Sequence, residues 1–314
     1  MIRMNRLLFI FLLLPVVVFA QQTVTYEGLP IGKTNTLKVT QIGYLDTSFK
    51  SSFQGMEIYK KYLLSLQHCG MATMYKTNGK TIKKIGRFKL GSFDDQPKTA
   101  NHANVASFSK QFLNKGDKLP LVYVTRCNAS NYGKGMQQVL FVEHVDPVKM
   151  TSECVQTISF DDRTLTTLHT TQWCVDVENG MLYGLSNSKE KSGNRHQIVK
   201  FRLPAYNGPQ DSIVILRDED VLERYFMEDY YKKPDWQPVI QGMFIRDNLL
   251  YLPWGVGSKS NPSVLYIWDL KNRVMRNAIN LQKEIPHEME DCAFYDKNNL
   301  IIQVQKRLYR ITFK

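Results

Sequence analysis

QGMEIYKKYLLSL at residues 54–66 returns at residues 241–253 as QGMFIRDNLLYLP. The two stretches share the Gln-Gly-Met opening, the isoleucine two positions later, and leucines beyond a polar turn. A unit that recurs along a chain indicates a repeat architecture, in which each unit buries its apolar face against the next unit. The repeated triplet therefore guides how the rest of the chain is divided.

Three weaker copies share the same order of an opening strand, a tight turn and an aromatic-rich return strand. The five openings lie at Gln54, His102, Trp173, Gln241 and Glu290. Blades of a β-propeller are roughly 40–50 residues long, so the two longer intervals need insertions, for which residues 128–135 and 218–238 are the candidates. We predict an all-β fold, a single β-propeller of five blades with four antiparallel strands each.

The two ends of the chain are expected to share the last blade. The fifth unit supplies only three strands before Lys314, while TLKVTQIGYL at residues 36–45 has strand character and no partner in the first unit. We therefore predict that this N-terminal strand pairs with the strand ending at Phe313. Such closure removes exposed sheet edges, which promote aggregation.

Residues 1–20 have the pattern of a secretory signal peptide. Arg3 and Arg6 precede the apolar run LLFIFLLLPVVVF, and small residues precede Gln21. A membrane anchor is the alternative, but comfortable spanning needs roughly 20 apolar residues. We expect a propeller domain over residues 21–314 that is exported, periplasmic or extracellular, with no transmembrane segment after cleavage.

The chain has a formal net charge of +12, which favours anionic partners in an exported protein. In its densest basic stretch, TIKKIGRFK at residues 81–89, charged and apolar residues alternate, which predicts the charged face of an outer, solvated strand. The alternative interpretation is a binding patch. No nucleic-acid-binding motif occurs, so no nucleic-acid partner is expected.

The five cysteines are Cys69, Cys127, Cys154, Cys174 and Cys292. Their number is odd, so at least one thiol stays unpaired within the chain. No Cys-x-x-Cys spacing supports zinc binding or a redox motif. Cys174 and Cys292 lie in apolar strand patterns, which predicts buried core residues.

Candidate ligand-binding residues follow from the repeat. The first strands of propeller blades surround a central channel, so aligned openings bring their first residues to one mouth. The candidates are Gln54, His102, Asn104, Trp173, Asp176, Gln241, Glu288 and Glu290. Amides, carboxylates, an imidazole and an indole suit a sugar or polyol. Alternatively, the glutamines hydrogen-bond to neighbouring blades, since buried polar groups need partners.

These openings, from Gln54-Gly55 to Glu290-Asp291, resemble those of secreted bacterial β-propellers of uncharacterised function with five or six blades, over residues 50–314. The likeness to TolB-like propellers is at the level of the fold. The Gln-Gly opening is also similar to propellers associated with teichoic acid in Gram-positive bacteria and their phages. The resemblance implies an architecture and no activity, because fold does not determine function.

Three functions remain open at this point. The first is binding of a polar, glycan-like or envelope-associated ligand at the channel mouth, and the second is a protein-interaction scaffold of the cell envelope. The third is a carbohydrate hydrolase or lyase that uses Asp176 and Glu290 with His102 nearby. No local metal-ligand spacing, phosphate loop or nucleophile elbow is present, so we expect neither a metal nor a cofactor.

Overall fold

The computed structural model describes residues 37–93, 103–126, 139–160, 168–190, 193–231 and 240–313. Within these ranges the strands form five sheets. The innermost strand of each sheet contacts the innermost strands of two neighbouring sheets, so that the sheets close into a ring. The predicted five-bladed β-propeller is confirmed. The signal-peptide pattern of residues 1–20 lies outside the described residues and stays a prediction.

The last blade joins the two ends of the chain. It consists of β1 (Lys38–Tyr44), β19 (Asp291–Phe294), β20 (Asn299–Val304) and β21 (Arg307–Thr312). β1 is the outermost strand and runs antiparallel to β21, with Lys38 opposite Thr312. The predicted closure by residues 36–45 is therefore confirmed.

Blades 1 and 4 follow the predicted order from the channel outward. Blade 1 consists of β2 (Phe53–Tyr59), β3 (Tyr62–Gln67), β4 (Met71–Thr77) and β5 (Ile82–Lys89). Blade 4 consists of β15 (Phe244–Arg246), β16 (Leu249–Trp254), β17 (Val264–Asp269) and β18 (Val274–Asn280). β5 is the outermost strand of its blade, as its alternating lysines predict.

Blade 2 has a fifth strand, which comes from the part of the chain that follows the third strand of blade 3. Blade 2 consists of β6 (Ala106–Phe108), β7 (Val122–Arg126), β8 (Val139–Asp146) and β9 (Thr151–Phe160), with β13 (Ile213–Leu216) at its outer edge. Blade 3 consists of β10 (Leu168–Asp176), β11 (Met181–Glu190), β12 (Gly193–Arg202) and β14 (Glu223–Phe226).

The sequence predicts DSIVILR, residues 211–217, as the outer strand of blade 3, and this prediction is wrong. β13 instead runs parallel to β9 of the preceding blade, where Val214 and Leu216 join the apolar cluster between blades 2 and 3. The outer strand of blade 3 is β14, which lies in the segment predicted as an insertion with helical spacing. It is held there because Tyr225 is buried and its hydroxyl accepts a hydrogen bond from Trp268 Nε1 at 3.0 Å.

Five buried apolar clusters fill the spaces between blades, and each cluster is shared mainly by two neighbours. The cluster between blades 5 and 1, for example, joins Ile301 and Leu308 to Met56 and Leu63. Because apolar residues pack against both faces of every blade, burial of apolar surface stabilises the ring as a whole. Among the described residues, no helix has the length and apolar character needed to cross a bilayer.

The described cysteines, Cys69, Cys154, Cys174 and Cys292, all carry free thiols. Cys174 and Cys292 are buried, as predicted from their apolar surroundings. Cys127 lies outside the described residues.

Candidate functional site

A cavity of about 590 Å³ opens at the end of the channel where the inner strands begin. Four predicted site residues line it: Gln54, Gln241, Glu288 and Glu290. The segment from Thr47 to Phe53 and the turn residues Gln305 and Lys306 complete its wall. We call this cavity the entry mouth.

The glycines of the repeated triplet bring adjacent blades together. The Gly55 N–H donates to the Ala103 carbonyl at 2.8 Å, and the Gly242 N–H donates to the Glu290 carbonyl at 2.6 Å. A Cβ at Gly55 would lie 2.6 Å from the Ala103 oxygen, and a Cβ at Gly242 would lie 2.1 Å from Asp291 Oδ1. Only glycine leaves room for this approach of one blade to the next.

The glutamines that precede these glycines are buried at the entry mouth. Gln241 Nε2 donates to Glu288 Oε1 at 2.6 Å, which orients both groups in the cavity wall. The Gln54 carbonyl accepts a hydrogen bond from Gln303 Nε2, so blade 5 also holds the start of β2. Gln241 thus makes the predicted contact with the neighbouring blade through its side chain, because Glu288 lies in the segment that leads into blade 5, and Gln54 is joined to blade 5 through its carbonyl. Both residues also line the cavity.

Glu290 is only 6% exposed. Burial raises the pKa of its carboxyl well above the usual value, and the nearby Glu288 and Asp291 carboxylates raise it further. Each of these effects favours the neutral acid, because charge is costly to bury and to place beside like charge. A neutral carboxyl offers both a hydrogen-bond donor and an acceptor to a ligand in the cavity.

Asp291 joins blades 5 and 1 directly beneath this site. Its carboxylate oxygens accept from the N–H groups of Met56 and Cys292, each at 2.9 Å. Burial raises the pKa of Asp291 well above the usual value, although these hydrogen bonds oppose that shift. In the sequence, Asp291 is noted only as part of the Glu290-Asp291 opening. The adjacency of two acids in an apolar strand was the signal for its buried role.

The segment before β2 forms one side of the entry mouth and is anchored to the strand beside it. Gln67 Nε2 donates to the carbonyls of Phe49 and Ser51, at 3.2 and 2.9 Å, and the His68 N–H donates to the Ser52 carbonyl at 2.8 Å. These bonds place Phe49 and the exposed Lys50 at the cavity rim, where Lys306 is also exposed.

Trp173 does not reach the entry mouth, which corrects the expectation that its indole covers a ligand. The side chain is 1% exposed and stacks on Phe160 with ring centroids 4.1 Å apart. It also lies against Gly184, where a Cβ would be 2.3 Å from the indole. Trp173 is therefore part of the core between blades 2 and 3, because successive residues of a strand face opposite sides.

Asp176 lies at the other end of its strand, away from Glu290. It is the last residue of β10, and its carboxylate accepts from the Asn179 N–H at 3.2 Å and from Asn179 Nδ2 at 2.8 Å. Asp269 holds Asn272 in the same way in blade 4. Asp176 therefore stabilises a turn, and the structure does not form the predicted pair of Asp176 with Glu290.

Asn104 is buried beside the entry mouth, next to the blade contact of Gly55. Among the described residues, its Oδ1 has no hydrogen-bond partner. It does not line the cavity. His102 lies outside the described residues, so its predicted place at the mouth is not described by the structure.

No family model and no curated protein matches the chain. Among solved structures, it is similar to the tail fiber of Staphylococcus aureus phage P68, with 13% identity and a TM-score of 0.51. That match covers 90% of this chain and 54% of the tail fiber, so the chain spans about half of its length.

Two further structures are more distant. The computationally designed Ika8 protein has 9% identity and a TM-score of 0.37, covering 87% of this chain and 99% of that protein. YCF48 bound to D1 peptide has 9% identity and a TM-score of 0.39, covering 91% of this chain and 100% of that one. At such identities a comparison concerns the fold alone, and the match to the tail fiber supports a propeller without a narrower family.

Proposed function

We propose that the protein binds a polar, polyhydroxylated ligand of the glycan class at the entry mouth. The observation that carries the proposal is the buried Glu290 carboxyl in a cavity of about 590 Å³, beside the amides of Gln54 and Gln241. This volume lies within the usual range of small-molecule sites, about 300–1,000 Å³. The signal-peptide pattern of residues 1–20 supports an exported location as part of the same proposal.

Hydroxyl groups need donors and acceptors that converge, and the entry mouth supplies both. The neutral Glu290 carboxyl donates and accepts, while the Glu288 carboxylate accepts. Phe49 and Phe53 provide apolar surface for the C–H groups of a sugar ring. Lys50 and Lys306 at the rim favour ligands that carry an acidic group.

Binding screens on a glycan array, followed by calorimetry on the ligands found, test this proposal. Because the Glu290 carboxyl acts as a neutral group, Glu290→Gln should keep most of the affinity, whereas Glu290→Ala should lower it about tenfold or more. Gln241→Leu should cause a similar loss, since it removes the amide and leaves Glu288 without its donor.

Glu284→Gln is the matched control, because Glu284 is exposed and lies in the same segment outside the cavity wall. Its affinity should equal that of the unmodified protein. If the Glu290→Ala and Gln241→Leu proteins bind the ligand as tightly as the unmodified protein, the entry mouth is excluded as the binding site. A broad array without any ligand would exclude the glycan class.

A carbohydrate hydrolase is the second candidate, because a neutral acid at Glu290 lies near the Glu288 carboxylate in one cavity. A pair of carboxyl groups, one of which its surroundings keep neutral, is the usual machinery of glycoside hydrolysis. Release of reducing ends from a bound glycan, and its loss in Glu290→Gln, would favour the hydrolase over simple binding.

A further inference from the structure

A second cavity, of about 410 Å³, opens at the other end of the channel, where β2, β6, β10 and β19 end. Aromatic side chains dominate its wall, and one buried acid, Glu57, also lines it. We call this cavity the exit mouth. None of the described residues lines both this cavity and the entry mouth.

The aromatic side chains form two walls. On the side of blades 1 and 2, the ring of Tyr59 lies 5.7 Å from that of Phe108 and 6.2 Å from that of Phe112. On the side of blades 4 and 5, the rings of Phe244 and Phe294 lie 5.8 Å apart. The negative faces of aromatic rings attract cations, most strongly where water is excluded.

Glu57 is 5% exposed, yet it lines this cavity. Its Oε1 accepts from the Ile58 N–H at 2.7 Å, and the Phe108 N–H also donates to the carboxylate. No lysine, arginine or histidine among the described residues forms an ion pair with it. Without a cation beside it, a buried carboxyl group prefers its neutral form, and a cationic ligand would favour the ionised carboxylate.

Two cations of the chain lie at these walls, Lys60 Nζ 5.1 Å from the centre of the Tyr59 ring and the Arg246 guanidinium 4.7 Å from that of Phe294, and neither forms an ion pair with Glu57. Burial raises the pKa of Glu57 to about 8. The charge of Glu57 in turn helps to raise the pKa values of Asp291 and Cys292 of β19 and of Cys174 of β10, and none of these three groups is cationic. Lys110 lines the cavity too, but its Nζ donates to the Glu178 carbonyl at 3.2 Å.

We propose that the exit mouth binds a small organic ammonium ion, whose charged head pairs with the Glu57 carboxylate between the two aromatic walls. The cavity holds a head group of the trimethylammonium size together with a short apolar or polar tail. The N–H groups of Ile58 and Phe108 keep the carboxylate in place as it ionises around the bound cation.

Choline is a suitable probe, and dimethylbutanol, in which carbon replaces the quaternary nitrogen, is its neutral analogue of the same shape. Calorimetric or NMR titration at neutral pH should show that choline binds about tenfold or more tightly than the neutral analogue. Glu57→Gln should abolish this difference, because the amide keeps the shape of the site and removes its charge.

Phe112→Ala provides a second variant that preserves the fold, since Phe112 is 40% exposed. It should weaken choline binding several-fold through loss of one aromatic face. Tyr44→Ala, at an aromatic residue that is 62% exposed on the outermost strand of blade 5, is the control and should have no effect.

Equal affinities for choline and the neutral analogue would overturn the proposal, as would unchanged choline binding in folded Glu57→Gln protein. Gln241→Leu at the entry mouth should leave choline binding intact. Failure of the ammonium site can therefore be told apart from failure of the glycan site.

Discussion

Gly242 shows how closely adjacent blades approach at a single residue. Its N–H bonds to the Glu290 carbonyl, and its Cα faces the buried Asp291 side chain, so that no room is left for a methyl group. Gly55 has the same relation to Ala103 of blade 2. The recurrence of glycine in the triplet thus reflects packing between blades, and the glutamine beside it lies in the wall of the entry mouth.

Gly242→Ala should destabilise the protein by roughly 3 kcal/mol or more, because overpacking against backbone and a buried carboxylate forces the blades apart. Chemical unfolding monitored by tryptophan fluorescence measures this loss. Gly86→Ala is the control in a strand, since its Cβ would meet the flexible end of Met150, 2.4 Å from Sδ. Equal losses for the two variants would contradict the packing role of Gly242.

Glu57 should make stability depend on pH. Its pKa is about 8 in the folded protein and near 4.5 in the unfolded chain, so the folded state binds more protons between these values. The free energy of unfolding should therefore fall as the pH rises through this window. The raised pKa values of Glu290 and Asp291 act in the same direction.

Glu57→Gln should flatten this decline and stabilise the protein at pH 8 by an amount on the order of 3 kcal/mol. Urea unfolding at several pH values gives the slope for both proteins. A variant that retains the full slope would show that Glu57 is ionised in the folded protein.

At the scale of elements, the turns are set by residues close in sequence, whereas the outer strands are placed by packing against other blades. Turns with aspartate and asparagine three residues apart recur at Asp176, Asp269 and Asp296, where the carboxylate accepts from the asparagine. They are local, so the sequence shows them. β13 pairs with blade 2 and β14 with blade 3. No local sequence pattern indicates which blade each of these two strands joins.

β1 tests the role of an outer strand. A protein that begins at Leu45 lacks β1 and exposes the edge of β21 along its length. We expect its melting temperature to fall by roughly 10 °C and its tendency to aggregate to rise, because an unpaired edge binds other chains. Calorimetry and light scattering measure these changes, and an equally stable, monomeric truncated protein would disprove the closure role.

At the scale of the whole molecule, we expect closure of the ring to depend on the pairing of β1 with β21 and not on which residue begins the chain. Lys38 lies opposite Thr312, so a short hairpin linker of about four residues can join Phe313 to residue 37. A permuted protein that begins at Leu45 and ends with β1 should melt within a few degrees of the original. If it is as unstable as the truncated protein, chain order matters to the ring.

The channel has two chemically different ends in the whole molecule. The entry mouth contains amides and carboxyl groups, while the exit mouth contains aromatic rings around one acid. All inner strands run in the same direction through the ring, so residues early in the strands face one end and later residues face the other. The two proposed sites therefore differ in chemistry and lie at opposite ends of the channel.

The sequence by itself determined the number of blades, the closure by residues 36–45 and the grouping of Gln54, Gln241, Glu288 and Glu290. These follow from local signals that repeat: glycine openings, alternating apolar residues and polar turns. The placement of Trp173 could not be derived in this way, because a shift of one residue in register turns a side chain to the opposite face of a strand. Asp176 was misplaced along its strand, since β10 begins before Trp173 and ends at Asp176.

Only the tertiary structure decided which strand completes blade 3, how Asp291 joins two blades, and that Glu57 meets two aromatic walls at the exit mouth. Tyr59, Phe108, Phe244 and Phe294 belong to four blades, and in sequence each resembles an ordinary core residue. Their meeting depends on the closed ring, which brings together residues nearly the whole chain apart. Local propensity determines the blades, and long-range packing determines what faces the channel.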